Sequence, residues 1–79
     1  NKEQQEIDFL ILRDGKPWLP IEVKWGDTEP IPHWNKFLGY LRCKRGVQLV
    51  GKPGVFKHVS LPHGELLIVS ADEALAYLV

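Results

Sequence analysis

An α/β fold with a mixed central sheet and flanking helices is predicted for this chain by three observations. Two strand-like runs joined by a glycine turn span Glu6 to Trp25, an apolar stripe at helical spacing follows from Pro32, and a short apolar run bounded by glycines comes next. Strand, helix, strand is the pattern of a crossover unit with parallel pairing. At 79 residues the chain makes one small domain, residues 1–79, with a thin core. Ten Lys and Arg balance ten Asp and Glu, so any affinity for nucleic acid or membrane must come from local patches rather than net charge. No apolar run approaches the roughly 18–20 residues of a membrane span. The one cysteine, Cys43, excludes an internal disulfide, and the expectation is a soluble cytoplasmic domain. The absence of methionine and the opening Asn1-Lys2-Glu3-Gln4-Gln5 lead us to expect a segment cut from a longer protein.

The first strand, Ile7 to Leu12, is apolar at nearly every position, as expected of a strand covered on both faces. Asp14-Gly15-Lys16-Pro17 supplies the turn, and the return strand runs from Trp18 to Trp25. Pro17 and Pro20 lack amide donors, so an edge or a bulge is expected near the start of that strand. Ile21, Val23 and Trp25 face one layer and Glu22 and Lys24 the other. Pro30 and Pro32 delay the helix to Pro32. Its core stripe is Trp34, Phe37, Leu38 and Leu41, and it is expected to end near Arg45 with Gly46 as the stop. Arg42, Lys44 and Arg45 would then lie in its last turn, suiting the helix dipole. Val47 to Val50 is a buried strand, Val55 to Leu61 an irregular or edge strand, and Leu66 to Val69 another buried strand. Ser70-Ala71-Asp72-Glu73 has the spacing of a capping box for a terminal helix through Leu78, with Leu75 and Leu78 inward.

The candidate chemistry lies on the hairpin. Closing the chain over Asp14-Gly15-Lys16 sets Asp8 across from Glu22. Glu22 and Lys24, two apart on one strand, share a face. Two carboxylates and an ammonium therefore converge on one side of the sheet. An ion-paired trio facing solvent, with Lys24 neutralising two acids, is the alternative for the same residues.

Asp8 and Glu22-Val23-Lys24 on adjacent strands resemble the motif of the PD-(D/E)XK nuclease superfamily, the restriction-endonuclease-like fold. More narrowly, Glu6-Ile7-Asp8-Phe9 and Pro20-Ile21-Glu22-Val23-Lys24 look like the C-terminal domain of unknown function attached to many prokaryotic AAA-type ATPases. The resemblance covers Glu6 to about Val69, and its specific part is the hairpin. It implies a partial restriction-endonuclease-like fold whose first helix and strand are missing from this chain, and a C-terminal placement of this segment in its parent protein. It further implies Asp8, Glu22 and Lys24 as catalytic residues, with Asp8, Glu22 and the Val23 carbonyl holding Mg²⁺ or Mn²⁺. Such oxygen donors suit a hard cation, which activates water and neutralises phosphodiester charge, while Lys24 stabilises the developing charge. The implied partners are DNA and the ATPase module of the same parent chain. The alternative is a non-catalytic accessory domain for partner or nucleic-acid recognition.

The remaining residues carry weaker signals. Trp18 and Trp25 fit either core or exposed aromatic contacts, and Arg42, Lys44, Arg45, Lys52 and Lys57 form either a phosphate-facing patch or a solvated one. His33, His58 and His63 lack partners at metal-ligand spacing, and Cys43 lacks an identifiable base. There is no Gly-rich phosphate loop, so any ATPase activity belongs elsewhere in the parent protein.

Overall fold

The computed structural model describes residues 7–78. Five strands and two helices follow in the order β1 (Phe9–Arg13), β2 (Lys16–Lys24), α1 (Trp34–Leu41), β3 (Arg45–Val50), β4 (Phe56–Leu61), β5 (Gly64–Ser70) and α2 (Ala71–Leu78). The strands form one mixed sheet in the order β1-β2-β3-β5-β4. β2, β3 and β5 run parallel at its centre, and β1 and β4 are antiparallel edges. No helix among the described residues is long and apolar enough to cross a membrane.

Alternation along the strands sorts the sheet into two faces. On one, Glu22 pairs in register with Gln48, and Gln48 with Ile68. This face carries the core, in which Trp34 and Leu38 of α1 pack with Cys43, Val50, Leu66 and Ile68. Trp34 reaches the sheet because β3 offers a glycine beneath it. A Cβ on Gly46 would stand 2.5 Å from the Trp34 ring. The opposite face carries Ile21, Val47, Leu49 and Leu67, partly buried, with Val23 exposed and Val69 buried.

The hairpin closes through Asp14 and Gly15, both at positive φ (55° and 77°). Phe9 lies opposite Ile21 and Ile11 opposite Leu19, then the register shifts so that Leu12 faces Pro17. The irregularity expected from the two prolines is thus a bulge that leaves Trp18 unpaired.

Three expectations are corrected. β1 is not covered on both faces: it is an edge strand exposed along its whole length, with Phe9 60% and Leu12 56% accessible. The helices account for this, since both α1 and α2 make their main packing contacts with β3 and β5. The helix is shorter than expected at both ends. It stops at Leu41 because Arg42 adopts the left-handed conformation (φ 58°), and the Arg42 and Cys43 amides donate back to the Gly39 and Leu38 carbonyls, at 3.3 and 3.1 Å. That is a Schellman-type end with arginine where glycine is usual. Gly46, the expected stop, lies inside β3, and Arg42, Lys44 and Arg45 fall in the connecting turn and strand instead of the last helical turn. The capping box does not form either. The Ser70 hydroxyl donates to the Lys52 carbonyl and accepts from the Val55 amide, both at 2.7 Å, which ties β5 to the loop before β4. The expected inward positions Leu75 and Leu78 lie outside the described side chains.

Candidate active site

The end of β2 nearest Lys24 gathers the polar groups of the hairpin. Glu22 projects from the core face and is 2% exposed. A carboxylate that deep needs partners, and it has two. The Nε2–H of His33 donates to both carboxylate oxygens, at 2.7 and 3.1 Å, and the Lys24 ammonium stands 3.7 Å away. A carboxylate can only accept, so the contact fixes a proton on Nε2 of the imidazole. Lys24 keeps about a third of its side chain accessible (34%). It therefore faces both the buried acid and solvent.

His33 was not singled out by the sequence, because its partner lies eleven residues away and on another element. What brings them together is the loop from Gly26 to Ile31, held by two side chains of the sheet. Gln48, fully buried, uses all its hydrogen-bonding capacity there. Its amide donates to the Asp27 and Glu29 carbonyls at 2.8 and 2.9 Å, and its oxygen accepts from Trp34 Nε1 at 2.8 Å and the Ile31 amide at 3.3 Å. From β4, the Lys57 ammonium donates to the Thr28 carbonyl at 2.7 Å and pairs with Glu29 at 2.5 Å. The loop thus delivers His33 to the start of α1 at a fixed height. There its ring meets the edge of Phe37 at 5.1 Å, and its side chain serves Glu22 in place of capping the helix.

Asp8 precedes β1, is exposed, and accepts the Val23 amide on Oδ2 at 2.7 Å. On a strand, the N–H and C=O of one residue point toward the same neighbour. The Val23 carbonyl therefore faces the edge that Asp8 occupies, beyond the last paired residue Phe9. The hairpin places Asp8 next to the Glu22-Val23-Lys24 segment, although the expected turn residue Lys16 pairs with Arg13 in the ladder and the bulge at Trp18 is what restores the register. It directs the two carboxylates differently: Glu22 inward to His33, Asp8 along the strand edge to an amide.

No protein-family model, curated protein or solved structure matches the chain. Among the described residues no group of three or more His, Cys, Asp or Glu side chains is placed to hold one metal ion. Two carboxylates and the Val23 carbonyl fit a hard cation in kind. Each carboxylate is engaged elsewhere, so shared coordination requires Asp8 to leave the Val23 amide and Glu22 to share itself with His33. Of the other candidates, Lys57 is committed to the loop, while Lys52 is exposed. Trp25 lies exposed across Gly51, and a Cβ there would stand 2.5 Å from its ring. His58 is within 3.9 Å of Glu65, far along the sheet from Glu22. Cys43 is buried, and desolvation raises its thiol pKa above the ordinary 9.0, which leaves it a packing residue.

Proposed function

We propose that this is a nuclease-like domain of restriction-endonuclease-like fold, belonging to a larger prokaryotic ATPase, that hydrolyses DNA phosphodiester bonds with the help of Mg²⁺ or Mn²⁺. The observation that carries the reading is Glu22: a carboxylate 2% exposed, held beside an accessible ammonium at the end of a central parallel strand. Burying a charge this far is costly for a small domain, and the ends of parallel strands are where α/β sheets place their chemistry. In this reading Asp8, Glu22 and the Val23 carbonyl hold the cation, which supplies an acidified water and neutralises charge on the phosphate. Lys24 binds a phosphate oxygen and stabilises the negative charge that develops on it. His33 keeps the Glu22 carboxylate oriented and the Gln48-held loop keeps His33 in place. The test is cleavage of supercoiled, linear and single-stranded DNA by the full-length protein with Mg²⁺ or Mn²⁺. Cleavage lost in Glu22→Gln and Lys24→Met, with unchanged melting curves for Lys24→Met, is the expected result. No cleavage of any DNA form, or cleavage indifferent to Glu22→Gln, overturns it.

A second reading, a non-catalytic accessory domain that docks a partner or its own ATPase module, is favoured by one observation. The edge strand β1 is apolar on both sides yet exposed, the kind of edge that proteins otherwise blunt or cover. On this reading Mg²⁺ leaves the melting temperature unchanged, Lys24→Ala is silent, and Trp18→Ala weakens an association. A metal-induced stabilisation abolished by Asp8→Ala counts against it.

A further inference from the structure

A second site lies at the opposite end of the sheet from Lys24, where β3 and β5 begin. There a groove of about 770 Å³ opens on the face away from Glu22 and Gln48. Its floor is aliphatic. Val47 pairs in register with Ile21 and with Leu67, and Leu19 is two residues before Ile21, so Leu19, Val47 and Leu67 share that face. Its rim is cationic. Arg45 stands two residues before Val47 on the same face, and Arg42 and Lys44 line the groove from the turn that leads into β3.

All three cations are exposed, and none of them has an ion-pair partner among the described residues. The one carboxylate lining the groove is Glu65, which has His58 within 3.9 Å. The wall is Trp18, set out of register by the bulge, 45% exposed, with the Arg13 guanidinium 5.5 Å from its ring centroid. Arg42 also holds a left-handed backbone conformation, φ 58°, where glycine would be the ordinary occupant. The domain has no net charge, so this cluster is a local excess and not a sample of a basic surface.

Unpaired cations beside an exposed indole are the two components of sequence-tolerant single-strand binding: charge for the phosphates and a flat ring for a base. The groove volume lies within the roughly 300–1,000 Å³ usual for small-ligand sites, enough for a nucleotide-sized group rather than a docked domain. We propose that this groove binds a single-stranded nucleic-acid segment, with its phosphates on Arg42, Lys44 and Arg45 and a base against Trp18. The site shares no side chain with Asp8, Glu22, Lys24 or His33, so it stands or falls independently of hydrolysis at the hairpin.

The test is fluorescence anisotropy of the full chain with 5′-fluorescein-labelled oligo-dT of about twelve nucleotides, titrated across salt concentrations. Three neutralised phosphates predict that log K falls against log salt with a slope of about −2, since single strands give about −0.7 per contact. The combined variant K44A/R45A, left with one phosphate contact, should flatten that slope to about −0.7 and weaken binding at least about tenfold at low salt. Trp18→Ala should weaken it about five-fold or more, with Trp18→Phe closer to the parent. Melting temperatures within a degree or two of the parent are expected for K44A/R45A, whose side chains are exposed. Failure of oligo-dT to bind at low salt, or equal binding by the parent and K44A/R45A, overturns the proposal. Unlabelled poly-L-glutamate that displaces the oligonucleotide equally well also overturns it, and makes the groove a site for acidic polypeptide.

Discussion

Replacing His33 by alanine should remove the close partner of a carboxylate that has almost no access to water. Glu22 is 2% exposed, and both its oxygens receive the same imidazole nitrogen, at 2.7 and 3.1 Å. Breaking a buried pair by removing one member costs about 3–5 kcal/mol, whereas a hydrogen bond to a charged group contributes about 1.5–3 kcal/mol when solvent can take over part of the role. Lys24 remains 3.7 Å from Glu22 and is itself partly exposed, so the lower bracket applies, about 2 kcal/mol. Loss of the edge contact between His33 and Phe37 adds about 0.5–1.5 kcal/mol. The expected destabilisation is therefore about 3 kcal/mol, which for a domain of this size lowers Tm by roughly 12–24 °C. Thermal and urea melts of H33A measure it. A double-mutant cycle with E22Q separates the pair from the packing, with an expected coupling of about 1.5–2 kcal/mol. Destabilisation below about 1 kcal/mol, or strict additivity in the cycle, would refute the claim that His33 holds the acid in place.

Gln48→Leu leaves the Asp27 and Glu29 carbonyls, the Ile31 amide and the Trp34 indole N–H without their shared partner, and at about 1–3 kcal/mol per stranded buried group urea denaturation should register a loss of at least about 3 kcal/mol. Gly46→Ala sets a methyl 2.5 Å from the Trp34 ring; such overpacking costs about 1–3 kcal/mol, and a Trp34 rotation would appear as a changed near-ultraviolet circular dichroism spectrum. Cys43 has a thiol pKa raised by burial above 9.0, so its contribution to stability is complete below the ordinary thiol range and is lost as pH climbs toward the higher folded value. Tm should therefore fall more steeply above about pH 9 for the parent than for Cys43→Ala, and iodoacetamide should label the native thiol slowly and the urea-unfolded thiol fast.

The order of elements was legible in the sequence because periodicity and turn residues are local signals. The crossover, the hairpin and the bulge at the prolines all follow from them. What stayed hidden depends on contacts between segments. Arg42 in a left-handed conformation carries no compositional cue, and Gly46 read as a helix stop because a glycine after a basic run usually is one. Its real requirement is room for the Trp34 ring. The apolar run of β1 read as interior because hydrophobicity reports what a segment would gain by being covered, not whether the described residues cover it. At the site, Asp8 was expected beside Glu22-Val23-Lys24 from a three-residue turn; the turn takes only Asp14 and Gly15, and the bulge that leaves Trp18 unpaired restores the same register. His33 was not expected there, since its arrival depends on Gln48 and Lys57 holding a loop whose own sequence, Gly26 to Ile31, announces only that it turns.

That dependence changes how variants of this site must be interpreted. Glu22 and Gln48 are register partners on adjacent parallel strands, and the loop that brings the imidazole to Glu22 is the one that Gln48 ties down. Trp34, the largest core side chain, donates to the same Gln48 oxygen. The candidate chemistry and the core are therefore one hydrogen-bonded unit, in which a change at any member relaxes the others. An inactive E22Q or H33A taken alone does not distinguish a lost ligand from a loosened sheet. Lys24 does, because it reaches solvent and takes no part in the Gln48 network. A lysine variant that keeps the parent's melting curve while losing function isolates the chemistry, and the same variant keeping function takes the ammonium out of it.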